Sequence, residues 1–217
     1  MEMTDLASLI RSRRSIRQWQ DREVPEELLL RAIELATWAP NGGNQQNWHF
    51  YLILNRDTIG AIADAVQASA DQIASWAEGS ALMGTATGWR GRSSFFRTAP
   101  ALIAVAAAQY QSALEQVLAD HESAAPRAAQ MRQWRKVADT RIQSVASAIA
   151  YLLLIFHQMG LGAVWMTGPM QAKGDIEKIL KVPPETDIVA LIPVGYPAET
   201  PEGRGRRPVR EVCEIVR

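Results

Sequence analysis

The stretch that most restricts what this chain can become runs from Ile142 to Pro169. Its first part is apolar on nearly every side, with Val145, Ala146, Ala148, Ile149, Ala150, Leu152, Leu153, Leu154, Ile155 and Phe156 in close succession. Such a pattern marks a helix surrounded by protein. Gly160, Leu161 and Gly162 end it, and Ala163 to Gly168 read as a strand running into a glycine turn. A membrane span is the rival reading, but Gln143, Ser144, Ser147, His157 and Gln158 interrupt the run. That leaves less apolar length than the roughly 20 residues a bilayer needs. About 18 helical residues give a rod of about 27 Å, which crosses a domain or lines a subunit interface.

No Pro/Ser/Gly linker divides the 217 residues, so a single domain over 1–217 is expected, with 78–98 as a long loop and candidate lid and 196–217 as a C-terminal extension. Lys plus Arg (23) balance Asp plus Glu (23), so no overall field draws the chain to nucleic acid or to an anionic membrane, and a small-molecule partner is expected. Cys213 is the only cysteine, which excludes an intrachain disulfide and favours a cytoplasmic home. Met1 to Ile10 carries Glu2 and Asp5 without an apolar core, so no signal peptide is expected.

Local signals give the remaining elements. Leu6, Leu9 and Ile10 share one face of a short helix that leads into Arg11, Arg13, Arg14 and Arg17, the densest positive cluster in the chain. Pro25, Glu26 and Glu27 open a helix to about Thr37, and a polar loop from Pro40 to Asn47 precedes a strand over Trp48–Leu54. A helix is expected from about Thr58 to Trp76. Glu78 to Thr98, with glycines 79, 84, 88 and 91 and no clear period, reads as the mobile loop. Pro100–Ala107 and Asp187–Val194 read as core strands, Tyr110–Lys136 as surface helix broken near Pro126, Lys173–Leu180 as helix, and Val212–Val216 as an extended end.

Several chemistries lack their residues. His49, His121 and His157 are scattered without metal-ligand spacing, so no metal is expected; no GxSxG, GxxxxGK[ST] or GxGxxG motif is present. What remains suits a flat, phosphorylated, heteroaromatic cofactor. Arg13, Arg14 and Ser15 can bind a phosphate, with Arg206 or Arg207 closing on the same group, because guanidinium forks match phosphate oxygens. Asn44 and Gln46 each offer donor and acceptor, as the edge of a pyrimidinedione ring requires.

Five segments in order, Arg13–Arg17, Ala39–Phe50, Gly160–Gly168, Ile192–Pro197 and Arg206–Pro208, resemble the FMN-dependent nitroreductase family. The resemblance implies an α+β nitroreductase-like fold, a small mostly antiparallel sheet flanked by helices, in an intertwined homodimer with FMN at the subunit interface. It implies that Arg13, Ser15 and Arg206 (or Arg207) bind the FMN phosphate and ribityl chain, with Arg14 beside them. It places Arg17 at the N1/C2 edge, Asn44 and Gln46 at the pyrimidine edge, and Trp165, Met166, Thr167 and Gly168 along the turn whose backbone N–H approaches N5. Arg17 and the Thr167 backbone are then the catalytic groups, and NADH or NADPH the co-substrate in a ping-pong hydride transfer to nitroaromatic, quinone or related acceptors. The alternatives on the same fold are dehalogenation, dehydrogenation or flavin fragmentation, or a flavin-binding protein with little turnover. This chain departs from the family pattern at Asn47, where many members have proline, and at Thr167, where a number have glutamate.

Overall fold

The computed structural model describes residues 3–217; Glu2 and the Thr4 side chain lie outside them. Four strands form one sheet in the order β1 (Trp48–Ile53), β2 (Ala101–Ala108), β4 (Thr186–Gly195), β3 (Gly162–Ala163), every pairing antiparallel. This is the small antiparallel α+β sheet that the resemblance implies. β2 is buried along nearly its whole length because both faces of the sheet are covered. Side chains alternate along a strand. Ala101, Ile103, Val105 and Ala107 therefore join one apolar cluster with α2 (Glu26–Ala36) and α7 (Thr140–Gln158), while Leu102, Ala104 and Ala106 join another with α3 (Arg56–Trp76) and α8 (Lys173–Leu180).

The helix in the Ile142–Pro169 stretch is α7, begun one turn's length earlier by Asp139, whose side chain accepts from the Ile142 N–H at 3.1 Å. With the preceding helix it makes a stretch, Pro126–Gln158, long and apolar enough to cross a membrane by length and composition. In the fold that stretch breaks at Asp139 (φ 36°), and Val145, Ala148, Ile149, Leu152 and Phe156 are buried in the core. Within one chain the core covers only part of this helix. Gln143, Ala150 and Tyr151 are exposed, so one flank of α7 is bare in the single chain.

Two other expectations change. Glu78–Thr98 is not a long loop: it holds α4 (Met83–Arg90) and a 3-10 turn over Phe95–Thr98. Gly84 and Gly88 hide the helical signal, since each costs about 1 kcal/mol against alanine. Tertiary contacts with α3 offset that cost. Gln67 donates to the Arg90 carbonyl at 3.3 Å and accepts from the Ser93 and Ser94 hydroxyls at 3.1 and 2.8 Å. The strand expected over Ala163–Gly168 stops after Ala163 and resumes as one bridge, Met166 to Leu191. The expected surface region becomes the pair α5 (Ala113–His121) and α6 (Pro126–Ala138), α1 spans Met3–Ser12, and no strand forms over Val212–Val216.

Candidate functional site

The Arg13–Trp19 segment is seated on a ledge of glycine. Ile16 N–H donates to the Ala163 carbonyl at 3.2 Å, and the Trp19 indole N–H donates to the Gly162 carbonyl at 2.8 Å. A Cβ on Gly162 would lie 2.6 Å from Ile16, and one on Gly195, its partner in the ladder, would collide with Pro100 and Trp19. Close approach requires glycine at both positions. Beyond β4 the chain returns over this segment. Ala198 N–H donates to the Gln18 carbonyl at 3.0 Å, and Glu199 Oε1 accepts from the N–H groups of Arg17 and, at 3.1 Å, Gln18. Residues 182 positions apart are thereby fixed together.

The result is a cleft of about 810 Å³ whose lining includes Arg13, Arg14, Ser15, Arg17, Trp89, Arg92, Phe95, Glu202, Arg204 and Arg206. That volume is in the range of small-molecule sites. Arg13 is its deepest cation. Its Nη1 is buried without a hydrogen-bond partner, and burial, then the charges of Arg14 and Arg206, hold its pKa below the ordinary arginine value. A guanidinium nitrogen buried without an acceptor is costly. A phosphate dianion placed among Arg13, Arg14 and Arg206 would supply both the charge and the acceptor oxygens. Ser12 and His157 lie just behind, with Oγ and Nε2 2.8 Å apart. Burial, and then Arg13 and Arg14, lower the His157 pKa.

The amide loop belongs to a different place. Asn41 Oδ1 accepts from the Gln46 N–H at 3.0 Å, the Ser144 hydroxyl accepts from Gly42 N–H at 3.1 Å, and Ser147 donates to the Pro40 carbonyl at 2.6 Å. Asn44 and Gln46 adopt positive φ (52° and 47°), and both residues are exposed. Gln46 lines a second cleft of about 730 Å³ with Trp48, His49, Tyr51, Gln111 and Thr186. The loop meets the sheet at Ala107 and Ala108, whereas Arg13–Trp19 meets it at the Ala101 end. At about 3.3 Å per residue these ends are about 20 Å apart. One chain therefore does not bring Asn44 and Gln46 to Arg13, Ser15 and Arg17.

Of the remaining expected site residues, Arg206 reaches the cleft and Arg207 is not among its lining residues. Met166 is spent in the core at 8% exposure, so its side chain is withdrawn, and Trp165 is partly exposed. Thr167 and Gly168 open a 3-10 turn (Gly168–Ala172), and the first N–H groups of a turn have no intrahelical acceptor. Gly168 faces Trp89, whose Nε1 is 3.8 Å from where a Gly168 Cβ would stand. Trp89 thereby joins the turn to the cationic cleft. Sequence reasoning missed Trp89, Arg92, Phe95, Glu199 and Glu202. The aromatic and basic content of 89–96 was a signal for the first three; nothing pointed to the two glutamates. Asn47, where the family often has proline, is buried and donates to the Ala108 and Arg141 carbonyls, each at 3.3 Å. Proline has no side-chain amide for those bonds, so the loop is anchored differently here.

Arginines converging on a cleft of this size suit an anionic, phosphate-bearing ligand. The chain belongs to the nitroreductase family, whose model matches residues 10–196. It is 29% identical over 203 residues to a Methanothermobacter thermautotrophicus protein described as "Putative NADH dehydrogenase/NAD(P)H nitroreductase", covering 92% of this chain and 81% of that one. Its fold matches a BluB-like flavoprotein of Clostridium difficile 630 at a TM-score of 0.86, with 26% identity over all of both chains. It also matches an oxidised iodotyrosine deiodinase bound to FMN and 3-iodo-L-tyrosine, at a TM-score of 0.71 with 25% identity over 98% and 97% of the two chains.

Proposed function

We propose that this enzyme binds FMN between two copies of itself and transfers hydride from NADH or NADPH to a nitroaromatic, quinone or related acceptor in two separate half-reactions. The observation that carries the reading is Arg13, half-buried with its Nη1 unpartnered, beside Arg14 and Arg206. FMN supplies the two-electron chemistry when bound. The chain supplies the rest. Arg13, Arg14, Ser15 and Arg206 hold the phosphate and ribityl end, and Arg17 is the fixed cation for negative charge at the N1/C2 edge. The open Thr167–Gly168 turn offers its backbone N–H toward N5, a role that threonine fills as well as glutamate because it needs no side chain.

Asn44 and Gln46 then read the pyrimidine edge from the second copy, which reconciles their distance from Arg13 within one chain. Two features support that pairing. The outer edge of β1 is open, and the tail carries exposed Val209, Val212, Ile215 and Val216. An unpaired edge and an apolar arm without a local partner suit reciprocal exchange between two chains. The bare flank of α7 is the matching helix surface.

Anaerobic mixing with NADH and NADPH tests the reading, with bleaching of bound flavin as the expected result; a flavin that neither nucleotide bleaches rejects it. The likeness to iodotyrosine deiodinase favours reductive dehalogenation as the second reading. Re-oxidation of the reduced protein by nitroaromatics or quinones but not by 3-iodo-L-tyrosine decides for the first.

A further inference from the structure

We propose that Asp187 is a positioning residue for the flavin ring: through Arg141 it fixes the seat of the amide loop, so the grip of Asn44 and Gln46 on the pyrimidine edge depends on a carboxylate behind them. This rests on the reading above and names what supports that half of the site. Among the described residues the other ion pairs join residues two at a time, whereas Asp187 is the centre of a network of four. Its Oδ2 accepts from Arg141 Nη1 at 2.6 Å, and its Oδ1 lies 2.8 Å from Lys173 Nζ, itself 2.8 Å from Glu177. Glu177 accepts in turn from the Ile188 N–H at 2.9 Å. Hydrogen bonds from Lys173 and then Arg141 hold the Asp187 carboxyl below its ordinary pKa, so it stays ionised at neutral pH.

The network ends under the loop. Asp187 stands opposite Ala107 in the ladder, and Ala107 opposite Trp48, the residue that follows the loop. Arg141 lies in the first turn of α7, where its own carbonyl accepts from Asn47 Nδ2 at 3.3 Å. Asn47 Oδ1 is buried without a donor, so this residue holds the loop by Nδ2 alone, on the Ala108 and Arg141 carbonyls. The rest of the loop leans on the same turn. A Cβ on Gly42 would lie 2.5 Å from Thr140 Cγ2, and Gly42 N–H donates to the Ser144 hydroxyl. A proline in place of Asn47 would fix the backbone without a side-chain partner, but it would exclude the left-handed conformation of Gln46 (φ 47°). Asparagine passes that task to Arg141, and Arg141 to Asp187. Removing one partner of a partly buried ion pair leaves the other uncompensated, so loss of the carboxylate falls on the turn that seats the loop.

Hydrogen exchange of the apo-protein and the midpoint potential of the protein at saturating FMN test the assignment together. Asp187→Asn is expected to speed amide exchange over residues 41–47 about tenfold or more. It should also lower the two-electron potential by about 30 mV, the equivalent of holding reduced flavin about tenfold less tightly relative to oxidised. The direction follows because amide donors stabilise the negative charge that reduction places on the ring. Affinity of the apo-protein for inorganic phosphate should change less than about twofold, whereas a general loosening of the fold would lower it. Arg141→Gln cuts the same link from the other side and should reproduce both changes. Lys173→Met leaves the Arg141 pair in place and should give smaller ones. In a chain that also carries Asn44→Ala and Gln46→Ala, Asp187→Asn should no longer move the potential, because it acts through those amides. Unchanged exchange in Asp187→Asn, or a potential shift that persists without the amides, overturns the proposal. A native potential in the chain lacking both amides defeats the reading of the loop instead, and exchange then still decides whether Asp187 fixes its seat.

Discussion

The cationic cleft and the amide loop are both built of polar residues that suit a flavin, and they differ in completeness. The cleft is finished within one chain: a glycine ledge seats Arg13–Trp19, Glu199 clamps the backbone of Arg17 and Gln18, and the returning tail brings Arg206 to Arg13. The loop is equally well anchored, by Ser144, Ser147 and Asn47, but its functional side chains face away from the cleft at the far end of the sheet. On the proposed reading its exposed amides supply half of a site. The difference teaches that, on the proposed reading, phosphate binding would be a property of the chain and ring recognition a property of the pair.

The largest effect should come from mixing two defective chains. Arg13→Ala removes charged hydrogen bonds worth about 1.5 to 3 kcal/mol, so FMN should bind about 10- to 100-fold more weakly. A chain carrying Asn44→Ala and Gln46→Ala should also lose flavin. If each site draws Arg13 from one chain and the amides from the other, co-refolding the two variants leaves one mixed site intact in each heterodimer. About a quarter of all sites should then recover native flavin affinity, read as bound FMN after gel filtration. No recovery would place both groups in one chain's site or remove the loop from it.

The next effects separate two adjacent arginines, Arg206 and Arg207, and then two that lie four residues apart, Arg13 and Arg17. Arg206→Ala should weaken FMN binding much as Arg13→Ala does, whereas Arg207→Ala should change it less than about twofold, since Arg207 does not line the cleft. Arg17→Ala should slow flavin reduction by about tenfold or more while changing retention little, because its charge matters most when negative charge develops on the ring. Stopped-flow reduction and equilibrium dialysis measure the two quantities. Equal losses in both for Arg13 and Arg17 would erase the division of roles within the cleft.

Much of this arrangement was legible from residues alone, for reasons that also explain the failures. β2 was readable because an unbroken apolar run bounded by Pro100 must be covered on both faces, and Lys173–Leu180 because Pro183 and Pro184 stop it. The arginine cluster was readable because like charges so close together need a counter-ion. α4 was not, since Gly84 and Gly88 suppress the local signal and Gln67 and Asp71 of α3 restore the helix through contacts no local pattern reports. Glu199 was invisible for the same reason: its partners lie at the other end of the chain. For α7, composition shows that a helix face must be covered but not whether the cover belongs to the same molecule, so the domain-crossing and subunit-interface readings stood side by side.

The smallest expected effect concerns His157, behind the cleft. Burial and the charges of Arg13 and Arg14 lower its pKa, so the folded apo-protein holds it neutral where the unfolded chain begins to take up a proton. The unfolded state then binds more protons as pH falls below about 6.5, and stability drops with pH in that window. Above it, the contribution is constant. A phosphate dianion among the arginines would offset the repulsion, so FMN should flatten the slope, and His157→Gln should flatten it in the apo-protein. Thermal unfolding between about pH 5 and 8, with and without FMN, reads both. The amide loop has no such titrating neighbour on its anchoring serines, so Asn44→Ala should leave the slope as it is. A slope that FMN does not alter would mean that the phosphate is not held beside Arg13 and Arg14, and would remove the main support for the completed half of the site.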